Sequence, residues 1–363
     1  QGLGLYSQLW AMVLLPPALA LGYRVVREGR GYFWATLLLA ATLMSHLIYE
    51  YMAFLTLGIF TFIQPVLISN PKSFVKGIWK QWRRLIILCL LVVVVTSYFS
   101  VPLFLNLDYF TPNRAELTKF DSWGHSAVLE GLVGGGIYDF DRFPSLTYLA
   151  FAGFVICLFR WREERYLVSV AIFLLWLLLY FGRATWGPLI DLLPISHDLH
   201  MRRFIGGVHL GGICPLAVAL AVPWRWAVYR ATVWNIAAAL ALALLVLLPV
   251  YSKRRSYLEK NAFWIEEGQV QVAKDDDLTA LVEKLEQLPP GRVYAGQQIA
   301  GGRRHWSDTY NVGRLHVYDM LNAAGLDMMG KVYHSYSLNS DVLINFDERR
   351  WDHYNLYNAR YVV

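Results

Sequence analysis

Residues 72–106 read KSFVKGIWKQWRRLIILCLLVVVVTSYFSVPLFLN. Lys72, Lys76, Lys80, Arg83 and Arg84 stand ahead of an uncharged, largely apolar run that begins at Leu85. A bilayer core takes about 20 such residues per helix, so 85–106 is read as a membrane span. Lys and Arg in short loops stay on the cytoplasmic side, which puts the start of this span inside and its end outside.

Working outward, comparable runs fall at 8–26, 32–50, 52–69, 145–159, 166–182, 204–222 and 232–251, giving eight candidate spans with 85–106. The run at 145–159 is short, and 32–50 with 52–69 reads either as two spans or as one long broken element. The loop Arg24–Arg30 carries three Arg and one Glu, and Arg160–Arg165 carries three Arg and two Glu; Arg225 and Arg230 follow the seventh run. These basic loops alternate with two long ones, 107–144 and 183–203, the first holding six acids against three bases. The alternation predicts that the long loops, and everything after 251, lie outside.

Composition agrees: 56% of residues are hydrophobic and 17% charged, against about 45–50% and 25% in soluble domains. The net charge of +6 sits mostly beside apolar runs, as a membrane rim requires, so nucleic acid is not an expected partner. Cys89, Cys157 and Cys214 all fall within apolar runs, with no zinc-type spacing. The 14 Trp and 22 Tyr include many at run ends, where an interfacial belt is expected. The chain opens on Gln1 and is read as a piece whose N-terminal part is missing.

The pattern changes after Tyr251. Residues 275–288 read as an amphipathic helix, with Asp275, Asp276 and Asp277 at its positive end and Leu278, Leu281, Val282, Leu285 and Leu288 on one face. Pro289-Pro290-Gly291 stops it, RVYAG follows as a strand, Gly301-Gly302 is a turn, and the terminal NLYNARYVV ends as another strand. The expected architecture is a polytopic α-helical membrane bundle over 1–251 with an incomplete extracytoplasmic α/β or α+β domain over 252–363.

Ionisable groups in or beside spans are costly, so each is a functional candidate. His46 and Glu50, four residues apart near an outer end, are either a structural pair or part of a substrate site. Loop 107–144 holds His125, Glu130, a Gly134–Gly136 triplet suited to sharp turning or close ligand approach, then Asp139, Asp141 and Arg142. Asp139 and Asp141 form a D-x-D pair that reads either as ligands for a divalent metal, Mg or Mn, beside a diphosphate, or as a turn ahead of the next span, with Asp141 or Ser145 capping it. Loop 183–203 ends with His197, His200, Arg202 and Arg203 where the chain re-enters the membrane. Two arginines on the outer side run against the positive-inside trend; they read either as snorkelling to headgroups or as a fork for a lipid phosphate. Motifs for a catalytic serine triad, a phosphate loop or a zinc protease are missing from usable positions.

The segments LLPPALALGYRVVREGR, MSHLIYEYMAF, DFDRFPSLTYLAFAG, MRRFIGGVHLGG, LPPGRVYAG and YNLYNARYVV, in this order, give a layout that resembles the GT-C superfamily of multi-span glycosyltransferases. Within it the chain looks like the bacterial YfhO-like and 6-pyruvoyl-tetrahydropterin-synthase-related membrane proteins. The resemblance implies a polyprenyl-phosphate-linked sugar donor, a glycan or protein acceptor, and a place in the bacterial cytoplasmic membrane. It maps a lipid-phosphate contact onto Arg202 or Arg203, and loop 107–144 onto acceptor or lipid recognition. The family's catalytic acid lies in the first outer loop, here expected before Gln1. The alternative is a non-catalytic structural or accessory subunit docking other membrane subunits. A transporter ranks lower, since internal repeats are not seen.

Overall fold

The computed structural model describes residues 6–67, 71–106, 121–140, 142–194, 196, 199–296, 311–313, 315–329 and 346–363. These fall into two compact units, divided between Val250 and Tyr251.

The first unit is a bundle of apolar helices. Its elements are α1 Tyr6–Glu28, α2 Tyr32–Ser45, α3 Leu47–Val66, α4 Pro71–Val95, α5 Ser97–Leu105, α6 Gly124–Val133, α7 Ser145–Phe159, α8 Glu164–Tyr180, the short α9 Arg183–Trp186, and α10 Ile205–Arg230. α11, Val233–Ala273, runs through the division. Among the described residues four helices are long and apolar enough to cross a membrane, or up to six if each bent pair counts as one span.

Several boundaries differ from the sequence reading. The break expected near residue 51 falls at His46, whose backbone is extended (φ −165°) between α2 and α3. That leaves α2 with 14 residues, about 21 Å at the helical rise of roughly 1.5 Å per residue. The basic segment 72–84 is helical rather than a loop, because α4 starts at Pro71, a residue suited to a first helical turn. The expected span 85–106 is cut at Thr96, where α4 and α5 bend by 88°. α8 likewise turns by 79° into the following turns, ending at Leu192. The helix expected to stop at 251 continues to Ala273. The apolar run ends there, but the next residues are good helix formers, and Arg255 pairs with Glu259 one turn on (2.7 Å).

α10 holds the bundle's centre. A Cβ on Gly207 would stand 2.3 Å from the Trp176 ring of α8, and one on Gly153 of α7 would stand 1.8 Å from the Pro215 carbonyl oxygen of α10. Small residues therefore let α10 approach its neighbours to backbone contact, as in packed membrane helices.

In the second unit, α12 (Asp276–Gln287) starts from Asp275, whose carboxylate accepts from the Leu278 amide at 2.7 Å. Leu278 and Leu285 pack with Val293, Val317 and Leu321. The short strand β1 (Arg292–Tyr294) pairs in parallel with the chain-terminal strand, Ala359–Val362. Between them in sequence lie a two-residue antiparallel pair (Asn311–Val312 with Leu315–His316), the helix Val317–Ala323 and the helix Trp351–Leu356. Gly301-Gly302 lies outside the described residues. Tyr294 and Glu348 are both buried, and the Tyr294 hydroxyl donates to the Glu348 carboxylate. Burial first, and that carboxylate second, hold the Tyr294 phenol well above the ordinary tyrosine range.

Two outcomes follow. Gly153→Ala must separate α7 from α10, so thermal unfolding in detergent should show a loss of about 1–3 kcal/mol. The raised phenol contributes stability that is complete below pH about 10 and is lost as pH rises from there toward the folded value. In alkaline titration of the full chain Tyr294→Phe should flatten that loss; an unchanged alkaline slope would reject the assignment.

Candidate functional site

The two ends of the first unit are built differently. At one end three basic segments meet. Arg84 of α4 donates to the carbonyls of Val26 (2.9 Å) and Glu28 (3.0 Å), closing the C-terminus of α1. Arg27 pairs with Glu164 at 2.6 Å, and the Tyr23 hydroxyl donates to the same carboxylate. Arg165 pairs with Glu163 at 2.5 Å.

At the other end, residues 201–204 form a single 3-10 turn that places Met201 and Phe204 inward, with Arg202 and Arg203 half-buried. Phe204 packs 5.3 Å from the Trp176 ring and lies parallel to Tyr51 at 6.4 Å. Trp176 in turn donates to the Thr56 hydroxyl at 3.0 Å. These buried aromatics fix the turn, and so the direction of its arginines.

Arg203 Nη1 stands 3.4 Å from His46 Nε2. A guanidinium has no acceptor, so in this contact Nε2 accepts and the imidazole proton sits on Nδ1. That Nδ1 is buried and has no hydrogen-bond partner among the described residues. Among the described residues Arg203 has no acidic partner either. The pair thus offers one positive charge and one further N–H donor, with no acceptor supplied by the described residues. Its floor is Tyr49, whose hydroxyl accepts from Gln8 at 3.2 Å.

Arg202 is occupied. It stacks on Trp123 at 4.5 Å and donates from Nε to the Asp121 carbonyl at 2.9 Å. Asp121 also accepts from the Arg183 amide at 3.2 Å, while the Arg183 guanidinium donates to the carbonyls of Leu199 (3.2 Å) and Ser196. Asp121 and Arg183 therefore tie residues 121–123 to the segment leading into 201–204. Sequence reasoning passed over both as site residues. The signal was present in Arg183, a third arginine in the expected outer loop 183–203.

The remaining candidates separate. Asp139 is buried, and its two oxygens accept from the Leu146 amide (3.0 Å), the Thr147 amide (2.9 Å) and the Thr147 hydroxyl (2.8 Å). It caps α7, the role the sequence reading gave to Asp141 or Ser145. Its oxygens are used by the fold, so Asp139 does not fit the metal-ligand reading; Asp141 lies outside the described residues. Among the described residues no three His, Cys, Asp or Glu gather to hold a metal. The glycine triplet turns the chain: Gly135 has φ +84°, and Asp139 N donates to its carbonyl at 2.8 Å. Arg142 closes that turn by donating to the carbonyls of Asp139 (2.7 Å) and Tyr138 (3.1 Å). His125 is exposed and bonds the Thr185 hydroxyl through its amide (2.7 Å) and Nδ1 (3.2 Å); Glu130 is exposed on the same helix. His200 is buried beside the arginines in sequence, its carbonyl accepting from the Arg203 amide at 2.9 Å. His197 lies outside the described residues.

Glu50, one turn below His46, is 2% exposed, and neither of its oxygens has a hydrogen-bond partner among the described residues. The structural pairing with His46, one of the two readings of the sequence, is not formed. His46 ends α2 in an extended conformation and its ring turns to Arg203 instead.

An apolar cavity of about 450 Å³ opens beside this end. It is lined by Leu174, Leu178 and Leu179 of α8 and by Trp186, Leu189 and Leu193 of the turns that follow. α8 ends at Tyr180, 6.5 Å from the Trp123 ring that carries Arg202.

No family model, curated protein or solved structure matches this chain.

Asp139→Ala leaves two amides at the start of α7 without an acceptor. It should lower the unfolding midpoint by the equivalent of about 1–2 kcal/mol, while the wild-type midpoint should not move with added Mg²⁺ or Mn²⁺. Stabilisation of the wild type by either ion that Asp139→Ala loses would return Asp139 to the metal reading.

Proposed function

We propose that this chain belongs to a membrane glycosyltransferase that takes a sugar from a polyprenyl-phosphate donor at the outer face of a bacterial cytoplasmic membrane. The observation that carries the reading is the Arg203–His46 pair, a charge and an N–H donor at one end of an apolar bundle with no anion among the described residues to receive them. A phosphate oxygen satisfies the Arg203 guanidinium. The apolar cavity beside α8 suits an isoprenoid chain leaving such a phosphate.

The orientation follows from the loops. The basic segments 24–30, 72–84 and 160–165 face the cytoplasm by the positive-inside rule, so Arg202 and Arg203 face outward with the segment 183–203. On this reading the eight apolar runs form a GT-C-like bundle, the broken ones as paired half-spans, and 252–363 is extracytoplasmic.

In the reaction the sugar's C1–O bond to phosphate breaks as an acceptor hydroxyl oxygen bonds to C1. The bond's electron pair goes to the phosphate oxygen, and Arg203, held by His46 Nε2, stabilises that growing charge. Arg202, locked on Trp123 and Asp121, holds the turn in place. On the resemblance, a carboxylate of the family's first outer loop receives the acceptor's proton.

The test is transfer from a radiolabelled polyprenyl-phosphate sugar by the full-length protein in membrane vesicles. Arg203→Gln should reduce the rate by about a hundredfold or more, and Arg203→Lys should retain part of it. Unchanged transfer by folded Arg203→Gln would sink the assignment. No transfer by the wild-type protein, together with its recovery in a larger membrane complex, would favour the accessory-subunit reading.

A further inference from the structure

The opposite end of the bundle holds a second, polar cleft of about 600 Å³. Its rim carries Arg27, Glu163, Glu164 and Arg165, and Val168 and Cys214 also line it. The cleft is lined by two guanidiniums and two carboxylates, and Arg160 stands 4.0 Å from Glu163 beside them. They alternate as linked pairs, Arg27 with Glu164 and Arg165 with Glu163. Glu164 is the better buried partner of its pair and is fixed by the Tyr23 hydroxyl. The cleft therefore presents both signs of charge over an apolar side.

We propose that this cleft binds a phospholipid whose headgroup carries a primary ammonium and a phosphate, as phosphatidylethanolamine does. The mixture of charges is the first argument. A headgroup that carries both signs can meet the carboxylates and the guanidiniums together, whereas a purely anionic one leaves the carboxylates without a cation of its own. Donor count is the second. A primary ammonium has three N–H donors and can bond the Glu163 and Glu164 carboxylates, while a trimethylated one has none. The phosphate would meet the Arg27 and Arg165 forks. Position is the third. The rim lies where the C-terminal end of α1 meets the N-terminal end of α8, the level at which headgroups sit in the orientation proposed above, and Val168 and Cys214 line its apolar side. The site is separate from the Arg203 end and does not depend on glycosyl transfer.

The experiment uses the full chain in nanodiscs containing equal amounts of phosphatidylethanolamine, its mono- and dimethylated forms, phosphatidylcholine and phosphatidylglycerol. Lipid retained after release into detergent is read by native mass spectrometry. The wild-type protein should retain phosphatidylethanolamine best, with retention falling at each added methyl group, to about a tenth for phosphatidylcholine. Glu164→Gln should remove the preference for the ammonium. Glu259→Gln, in an exposed ion pair of the second unit, should leave it intact. Because the headgroup series is read on the wild-type protein, misfolding of a variant does not blunt the test. Equal retention of all five lipids, or preference for phosphatidylglycerol, would overturn the proposal.

Discussion

The contact between α7 and α10 at Gly153 and Pro215 is the constraint on which the first unit depends. Two helix backbones touch there with no side chain between them. In an apolar solvent helices gain little from burying apolar surface, so association rests on close packing and on bonds between polar groups. Gly207 and Gly212 extend the same logic up α10, receiving Trp176 and the Tyr138 ring. The Tyr138 hydroxyl then donates to the Val208 carbonyl at 2.9 Å. With α10 fixed, the turn at 201–204 that precedes it has one place to go. Phe204 completes the arrangement by filling the space between Trp176 and Tyr51.

The helices of the first unit were largely legible in the sequence, and their breaks were not. A helix facing lipid must be apolar around its circumference, and that shows as an uninterrupted run. A break depends on what the neighbouring chain offers. His46 leaves the helix while its ring reaches Arg203, a residue 157 positions away. No local signal marks it: Ser45 and His46 are followed by ordinary helix formers. The continuation of α11 past Tyr251 failed for the opposite reason. Hydropathy ends at the membrane surface, but helix propensity does not, and Lys253 to Glu259 is a sequence that stays helical in water.

For the candidate site, residue types were legible and roles were not. The anomaly of two outer arginines singled out 202–203, yet sequence could not divide them. The division came from packing: Arg202 sits on Trp123 and a backbone carbonyl, and Arg203 on an imidazole. Asp139 shows the same limit. A cap is ordinarily the residue just before the helix, and this one reaches Leu146 and Thr147 from six or more positions upstream. The turn through Gly135 folds back to bring it there.

The two ends of the bundle differ in how they treat charge, and that difference argues for where chemistry belongs. Arg24, Arg27, Arg84, Arg160 and Arg165 each meet a carboxylate or a row of carbonyls. There each of these guanidiniums has a partner within the fold. At the other end Asp121 and Arg183 are paired in the same way, and Arg202 is held by Asp121, but Arg203 meets only an imidazole among the described residues. Leaving a donor without a partner costs about 1–3 kcal/mol when it is buried, and the His46 Nδ1–H adds that cost beside a guanidinium with no acid partner among the described residues. It does not stand alone: both Glu50 oxygens and the Tyr51 hydroxyl, on the same helix, are also buried without hydrogen-bond partners among the described residues. Consistent packing elsewhere makes a cluster of such departures the natural candidate for a functional site.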